Sequence, residues 1–322
     1  MTRWTLALLV LLSLGCGAAT TPARVARVRP SGPVMTFLHV PRGFFLRIDC
    51  ASIRGTPIAG DVSSLWRSAP LFQQLARGAS FDPIRDLDVM VSTSGAVSSW
   101  QGGPAASRWR IVMRHHQDAA GARAMLAQVA LADGQALVWR GGQGIASAIL
   151  PGEISSTTPY AIVLTADHEA VIAPDDELPA ILAVARDQEA RRDAPTDPIE
   201  PSLGSPFGEL ARVETTSAPP VLASVGVTAA RATVMRSGQG SAIHVELDFP
   251  TTSQAQGFVA ATGPLLPQLA QNPMLVSLGL SRPLATVQVV QHGASATLDT
   301  QPTFDELRAL FGALALFVGG GF

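Results

Sequence analysis

Three groups of residues in this sequence combine side chains and spacing that suit chemistry. The first is His115-His116 with Asp118, two imidazoles and a carboxylate of the kind that ligate transition metals. The segment Arg108 to His115 alternates as a strand does, so the two histidines point to opposite faces and do not readily share one ion. Asp118 also suits the N-cap of the helix predicted to follow it. The second group is Phe81-Asp82-Pro83-Ile84-Arg85-Asp86-Leu87-Asp88. Its carboxylates Asp82, Asp86 and Asp88 are oxygen ligands of the type calcium takes, but the spacing is not that of an EF-hand and no glycine stands at the required turn. Asp82 before Pro83 also reads as a turn starter, with Arg85 as a local charge partner. The third group, Asp167-His168-Glu169, falls at a predicted hairpin tip, where Asp favours the turn. Asp82, Asp86, Asp88, His115 and Asp118 are thus the candidate metal ligands, and no cofactor is expected.

Other chemistries leave weaker traces. A hydrolytic site would have to be assembled from dispersed residues, with His115, His168, His244 or His292 beside a Ser or Asp, since triads are defined by geometry and not by order. The sequence has no Gly-x-Ser-x-Gly elbow and no His-Glu-x-x-His pair. Trp139-Arg140-Gly141-Gly142-Gln143-Gly144 is rich in glycine but lacks the Lys-Ser/Thr ending of a phosphate-binding loop. All the basic residues other than histidine are arginine, which removes Schiff-base chemistry and any lysine general base. The formal net charge is −2 and no basic stripe runs along the chain, so nucleic acid is not an expected partner.

These residues need elements to hold them, and the chain begins with a segment of a different kind. Met1-Thr2-Arg3 is a short positive start, followed by the eleven-residue apolar run Trp4 to Leu14. That run is too short for a bilayer, which needs roughly twenty residues, and it ends in small residues, as a secretory signal peptide does. Leu12-Ser13-Leu14-Gly15-Cys16-Gly17 resembles a lipobox, the cleavage motif of bacterial lipoproteins. The resemblance implies cleavage before Cys16 and a diacylglycerol on its thiol. It also implies outer-membrane delivery, because Gly17 is not an inner-membrane retention signal. Ser13 departs from the aliphatic residue preferred at its position, and ordinary cleavage after Ala19 is the rival reading. Ala18 to Pro33 is small and polar with Arg24, Arg27 and Arg29, and cannot bury enough apolar surface to fold. With Cys16 lipidated, Cys50 has no partner for an internal disulfide and reads as a core cysteine.

Beyond the tether, strands are predicted at Val34 to Val40, Gly43 to Cys50, Leu87 to Thr93 and Trp109 to Arg114, with short helical turns flanking Pro70. One order of elements then occurs twice, offset by about 130 residues. The strand Arg108 to His115 leads to a helix from Asp118, and Ala242 to Phe249 leads to a helix from about Thr252 that Pro264 and Pro267 should kink or split. Hairpins follow at Ala161 to Ala173 and Leu284 to Leu298. Closing helices open on Asp176-Glu177-Leu178 and Asp305-Glu306-Leu307. Ala194 to Pro220 holds six prolines and reads as a linker.

The resulting division is a signal peptide at 1–15, a lipid-anchored tether at 16–34, a first lobe at 35–193, a linker at 194–220 and a second lobe at 221–322. The expected fold is α+β, with antiparallel sheets bearing helices on one face in two related β-α-β-β-α lobes. One continuous sheet shared by both halves is the alternative. Arg47-Ile48-Asp49 through Arg54-Gly55-Thr56-Pro57, followed by Phe81 to Asp88, resembles a group of uncharacterised predicted envelope lipoproteins of the myxobacterial type. That resemblance implies an envelope location and no particular activity. The functional expectation is a non-enzymatic envelope lipoprotein acting as a binding or scaffolding module. Its partners would be the membrane, through the anchor, and another envelope protein. The alternative is a periplasmic or secreted hydrolase.

Overall fold

Strands form in both halves of the chain, and they join into one sheet. The computed structural model describes residues 43–68, 81–94, 109–131, 137–142, 144–150, 159–165, 168–191, 208–218, 220–277 and 279–319. Cys16, the signal peptide, the tether and the strand expected at Val34 to Val40 lie outside these residues. In chain order the strands are β1 (Phe44–Asp49), β2 (Leu87–Ser94), β3 (Arg110–His115), β4 (Arg140–Gly141), β5 (Ala146–Ile149) and β6 (Tyr160–Leu164). They continue with β7 (Glu169–Pro174), β8 (Glu209–Thr215), β9 (Ala229–Ser237), β10 (Gly240–Asp248), β11 (Gln288–His292) and β12 (Ser295–Thr300). The helices are α1 (Cys50–Arg54), α2 (Ala59–Ser68), α3 (Pro83–Asp86), α4 (Ala119–Leu131) and α5 (Leu178–Arg191). After them come α6 (Pro220–Ala223), α7 (Thr252–Ala270), α8 (Pro273–Ser277), α9 (Ser281–Ala285) and α10 (Phe304–Gly319).

The strands form a single 12-stranded sheet in the order β11-β12-β10-β9-β8-β1-β2-β3-β7-β6-β5-β4. Every pairing in it is antiparallel. The fold is therefore α+β, and both halves of the chain share one sheet. They meet at β1 and β8, which pair from Phe44↔Thr215 to Ile48↔Ala211. Strand β8 lies within the proline-rich segment expected as a linker. It forms there because Glu209-Leu210-Ala211-Arg212-Val213-Glu214-Thr215 alternates, while the prolines fall on either side of it.

The two faces of the sheet are covered differently. On one face the main core runs the length of the sheet, from Ile162, Ile172, Met113 and Met90 through Ile48 and Leu210 to Ile243, Leu247 and Leu298. Helices α1, α4, α7 and α10 close this face with Cys50, Ile53, Ala122, Leu126, Phe258, Leu266, Leu307 and Leu310. Full burial of each large side chain contributes about 1.5–3 kcal/mol. Among the described residues, the opposite face has its own core in the first half, where Phe45, Val89, Val91, Val112, Val163, Val171 and Ala173 pack with Ile181 of α5. The expectation of helices on one face alone is corrected by α5. Its cause is visible in the strands beneath it, since β6 and β7 are buried along their whole length. Strands apolar on both sides need cover on both sides.

Local chemistry fixes the ends of these elements. Asp49 caps α1 by accepting from the Ser52 amide at 2.8 Å, which starts a helix where the alternation alone suggests the strand continuing to Cys50. Cys50 is 1% exposed, and burial, followed by the nearby Asp49 charge, pushes its thiol up to about 12. Thr251 caps α7, which buries Ala255, Phe258, Thr262, Leu266 and Ala270. This helix continues through Pro264 and Pro267 and does not break as expected. Both prolines lie on its exposed side, and so do Ala260 and Gly263, the residues whose carbonyls lose their amide partners.

Candidate functional site

The carboxylates singled out in the sequence are engaged in local structure. Asp82 caps α3, its Oδ1 accepting from the Ser63 hydroxyl at 2.9 Å, the Ile84 amide at 3.0 Å and the Arg85 amide at 3.4 Å. Asp86 accepts from the Asp82 amide at 2.7 Å and from both arms of the Arg85 guanidinium, each at 2.7 Å. Asp88 stands apart from the other two, 3.4 Å from Arg54 and 3.9 Å from His116. Asp118 caps α4 through the Gly121 amide at 2.7 Å. Among the described residues, no group of three or more His, Cys, Asp or Glu side chains is arranged to hold a metal ion.

His115 and His116 do face opposite ways. His115 is 3% exposed and points to the main core, while His116 is exposed. What the structure brings to His115 is His168, from the tip of the β6–β7 hairpin. Their rings meet edge to face with centroids 5.9 Å apart. Sequence spacing alone does not pair them, because β7 reaches β3 only through the sheet register. Burial holds the His115 imidazole below its ordinary value, against a smaller raising effect of the Gln117 carbonyl.

Among the described residues, one face of the sheet in the second half carries no helix. Residues directly opposite each other in an antiparallel sheet share a face, so the registers define three rows across β8, β9, β10, β12 and β11. One row is Arg212, Thr233, His244, Asp299 and Gln288. The next is Glu214, Arg231, Glu246, Thr297 and Val290. The third is Ala229, Asp248, Ser295 and His292. Side chains of the alternate positions, among them Ala232, Ile243, Val245, Leu247 and Leu298, belong to the main core on the other side. No described helix covers the three rows, and Arg231, Asp248, Gln288, Val290 and His292 are exposed.

Charges on this face are ordered across strands. Arg231 lies 3.4 Å from Glu214 and 3.2 Å from Glu246. His244 Nδ1 is 2.9 Å from Asp299, and the Ser295 hydroxyl donates to Asp248 at 2.6 Å. At the edge of the rows Arg212 donates to Glu209 at 2.5 Å. Glu209 is 1% exposed and takes a second guanidinium, that of Arg47, at 3.1 Å. Partly exposed pairs such as those of Arg231 contribute little to stability singly, unlike the buried Glu209. Of these residues, only His244 and His292 stand out in the sequence. The others become a surface once β8 to β12 are placed side by side, although the alternation His244-Val245-Glu246-Leu247-Asp248 already marks one polar edge.

His244 with Asp299 is a His–carboxylate pair, but it lies on the face of the sheet that no described helix covers. The described cavity in this half is elsewhere, beneath α9 and α10. It measures about 20 Å³ and is lined mainly by Ile243, Leu280, Leu284, Leu307 and Leu310. That is room for about one water, in apolar surroundings that hold none well. Among the described residues, no helix is long and apolar enough to cross a membrane.

No protein-family model matches the chain, and no curated protein matches it. Among solved structures it is similar to crystal form I of TP0453 at 10% identity, with 90% of this chain and 98% of that chain covered and a TM-score of 0.42. It is also similar to crystal form III of TP0453 at 6% identity, covering 84% of this chain and 94% of that one with a TM-score of 0.44. Crystal form IV gives 6% identity, 86% and 93% coverage and a TM-score of 0.44.

Proposed function

We propose that this chain is a lipoprotein of the bacterial envelope, anchored through Cys16, that binds another envelope protein on the open face of β8 to β12. The observation that carries the binding reading is that face. It is helix-free among the described residues and patterned with charges of both signs that give a partner a fixed register. The support for the anchor is the segment from Leu12 to Gly17 in the sequence.

One experiment addresses both parts. A photo-crosslinking residue is placed at Thr233, in the middle of the open face, and for comparison at Asp305, on the exposed side of α10. The chain is then recovered from detergent-extracted envelopes for intact mass analysis. The expected result is an amino-terminal acylated Cys16 and one envelope protein crosslinked from Thr233 but not from Asp305. Equal labelling from both positions would sink the docking face, and an unmodified amino terminus at Thr20 would sink the anchor.

The hydrolase reading has one observation in its favour, the 2.9 Å contact of His244 with Asp299. It requires that His244→Ala abolish hydrolysis of activated esters by the purified chain. Absence of hydrolysis by the unaltered chain would dispose of it.

We infer further that the two halves are related β-α-β-β-α units. In support, β3, α4, β6, β7 and α5 follow the same order as β10, α7, β11, β12 and α10, with β4 and β5 inserted in the first series and α8 and α9 in the second, and β3-β7-β6 in the sheet is matched by β10-β12-β11. Relatives that keep this order in one half and not in the other would speak against common descent.

A further inference from the structure

The sheet ends differently on its two sides. At one end stands β4, two residues long, with Arg140 and Gly141 both exposed. A very short strand that carries a charge is a means of keeping a sheet edge from pairing with another chain. At the other end stands β11, five residues in unbroken register with β12. Gln288-Val289-Val290-Gln291-His292 has no proline, bulge, acid or arginine to guard it, and Val290 is 43% exposed.

The register shows which backbone groups this edge offers. The Phe249 amide donates to the Ala294 carbonyl at 2.9 Å, so the residues of β12 in step with Ala294, namely Ala296, Leu298 and Thr300, bond to β10. Ser295, Thr297 and Asp299 then bond to β11, through His292, Val290 and Gln288. The N–H and C=O groups of Val289 and Gln291 are left pointing off the sheet, and no described backbone group receives them.

The surroundings of this edge are as neutral as the strand. Helix α7 lies beside β11, tied to it where the Gln291 side chain donates to the Thr252 carbonyl at 3.3 Å, and it has no acidic or basic residue from Thr252 to Ala270. The solvated face of a helix ordinarily carries charges. Between Asp248 and Asp299 the one acidic or arginine residue is Arg282, which is held by Glu306 of α10 at 2.6 Å. Neutrality is what self-pairing needs. A two-fold interface sets a patch against its own copy, so a charge near the axis meets itself and repels. A foreign partner is selected by charges it can match, and this edge offers none.

We propose that two copies of this chain pair through β11, antiparallel about a two-fold axis at Val290. Val289 of each copy exchanges N–H···O=C bonds with Gln291 of the other. Val290 meets its own copy across the axis, and Gln288 stands opposite His292. The sheet then runs on through both copies and joins their helix-free faces into one. The pairing does not rest on the docking reading, since it uses the edge of the sheet and not its face. So short a strand makes an interface of the small, transient class, and half-association is expected on the order of 10–100 μM.

Sedimentation of the full chain in detergent over a range of concentrations tests the dimer, and cysteine pairing tests its register. Val290→Cys is expected to form a disulfide between copies under mild oxidation, because antiparallel partners that share no backbone bonds stand about 4.5 Å apart at Cα, within disulfide reach. Gln288→Cys and His292→Cys are expected to cross-link when mixed, and far less when each is alone. Peptide masses locate each bond and separate it from any at Cys16, while Cys50 is buried. Val290→Lys, at an exposed position, is expected to weaken association at least about tenfold with the melting temperature unchanged, and Val290→Thr to preserve it. A monomer at every concentration up to about 1 mM would overturn the proposal. So would an undiminished dimer in Val290→Lys, or self-linkage of Gln288→Cys as ready as that of Val290→Cys. Linkage of Val290→Cys to a different protein would overturn it in favour of a foreign strand.

Discussion

His115 sits where a proton is hard to accommodate. The residue is 3% exposed, Nε2 is buried without a partner, and Nδ1 is already against the Gln117 carbonyl. A charged imidazole there would lose its hydration with one nitrogen unsatisfied, and burial accordingly holds its pKa below the ordinary 6.5. The unfolded chain therefore takes up the proton more readily than the folded chain. The contribution of His115 to stability is complete above about pH 6.5 and is lost as the pH falls from there through the depressed folded value. Urea unfolding of the unaltered chain and of His115→Gln, measured from pH 8 to pH 5, checks this. The variant keeps an amide donor and does not titrate, so its deficit relative to the unaltered chain is expected to shrink on acidification. A deficit that stays constant, or grows, across this range would show that His115 is not the titrating group.

Helix α10 shows how local sequence places an element. Thr303 and Glu306 form a capping box: the Thr303 amide donates to Glu306 at 2.8 Å, and the Glu306 amide donates to the Thr303 hydroxyl at 3.3 Å. Burial acts to raise the Glu306 pKa, but hydrogen bonds from Arg282 of α9 and from Thr303 outweigh it and hold the carboxyl below its ordinary value. The box thus joins α9, α10 and the end of β12. Thr303→Ala is expected to cost about 1 kcal/mol in urea unfolding, and Thr303→Ser is expected to retain most of that. Equal losses in the two would mean that the hydroxyl is not the cap. The same opening triplet is less informative in the first half. Asp175–Glu177 is a 3-10 turn ahead of α5, and Glu177 is drawn to Arg110 of β3 at 2.6 and 2.8 Å. Periodicity made α4, α7, both hairpins and α10 legible in the sequence. That β6 and β7 need cover on both faces is legible in the unbroken apolar runs Ala161-Ile162-Val163-Leu164 and Ala170-Val171-Ile172-Ala173, but which face α5 takes is not.

At the scale of the whole molecule, the two halves meet at the β1–β8 pair and where α10 touches α2, with Arg308 3.1 Å from Asp61. Neither contact is legible in the chain. Arg47 and Glu209 are 162 residues apart, and β8 hides among prolines that dominate its neighbourhood. The rows of the open face were hidden for the same reason, since register between distant strands has no signature in spacing. The seam carries an electrostatic problem that explains its most buried charge. Arg47 of β1 stands directly opposite Arg212 of β8, and like charges so placed repel. Glu209 answers both, with Oε1 toward Arg47 at 3.1 Å and Oε2 toward Arg212 at 2.5 Å, while its own side chain is 1% exposed. Asp49 assists Arg47 at 3.5 Å. Removing the carboxylate would leave two guanidinium groups facing each other at the junction, one of them largely buried. Glu209→Ala is therefore expected to destabilise the chain by about 3–5 kcal/mol, and Glu209→Gln by less, because the amide oxygen can still accept one hydrogen bond. Replacing Arg47 and Glu209 together by Met and Leu is expected to recover much of the loss, since it removes the buried charge along with its partner. Urea unfolding of the three variants measures all of this. A double variant as unstable as Glu209→Ala would show that the pair holds the seam by geometry and not by compensating charge.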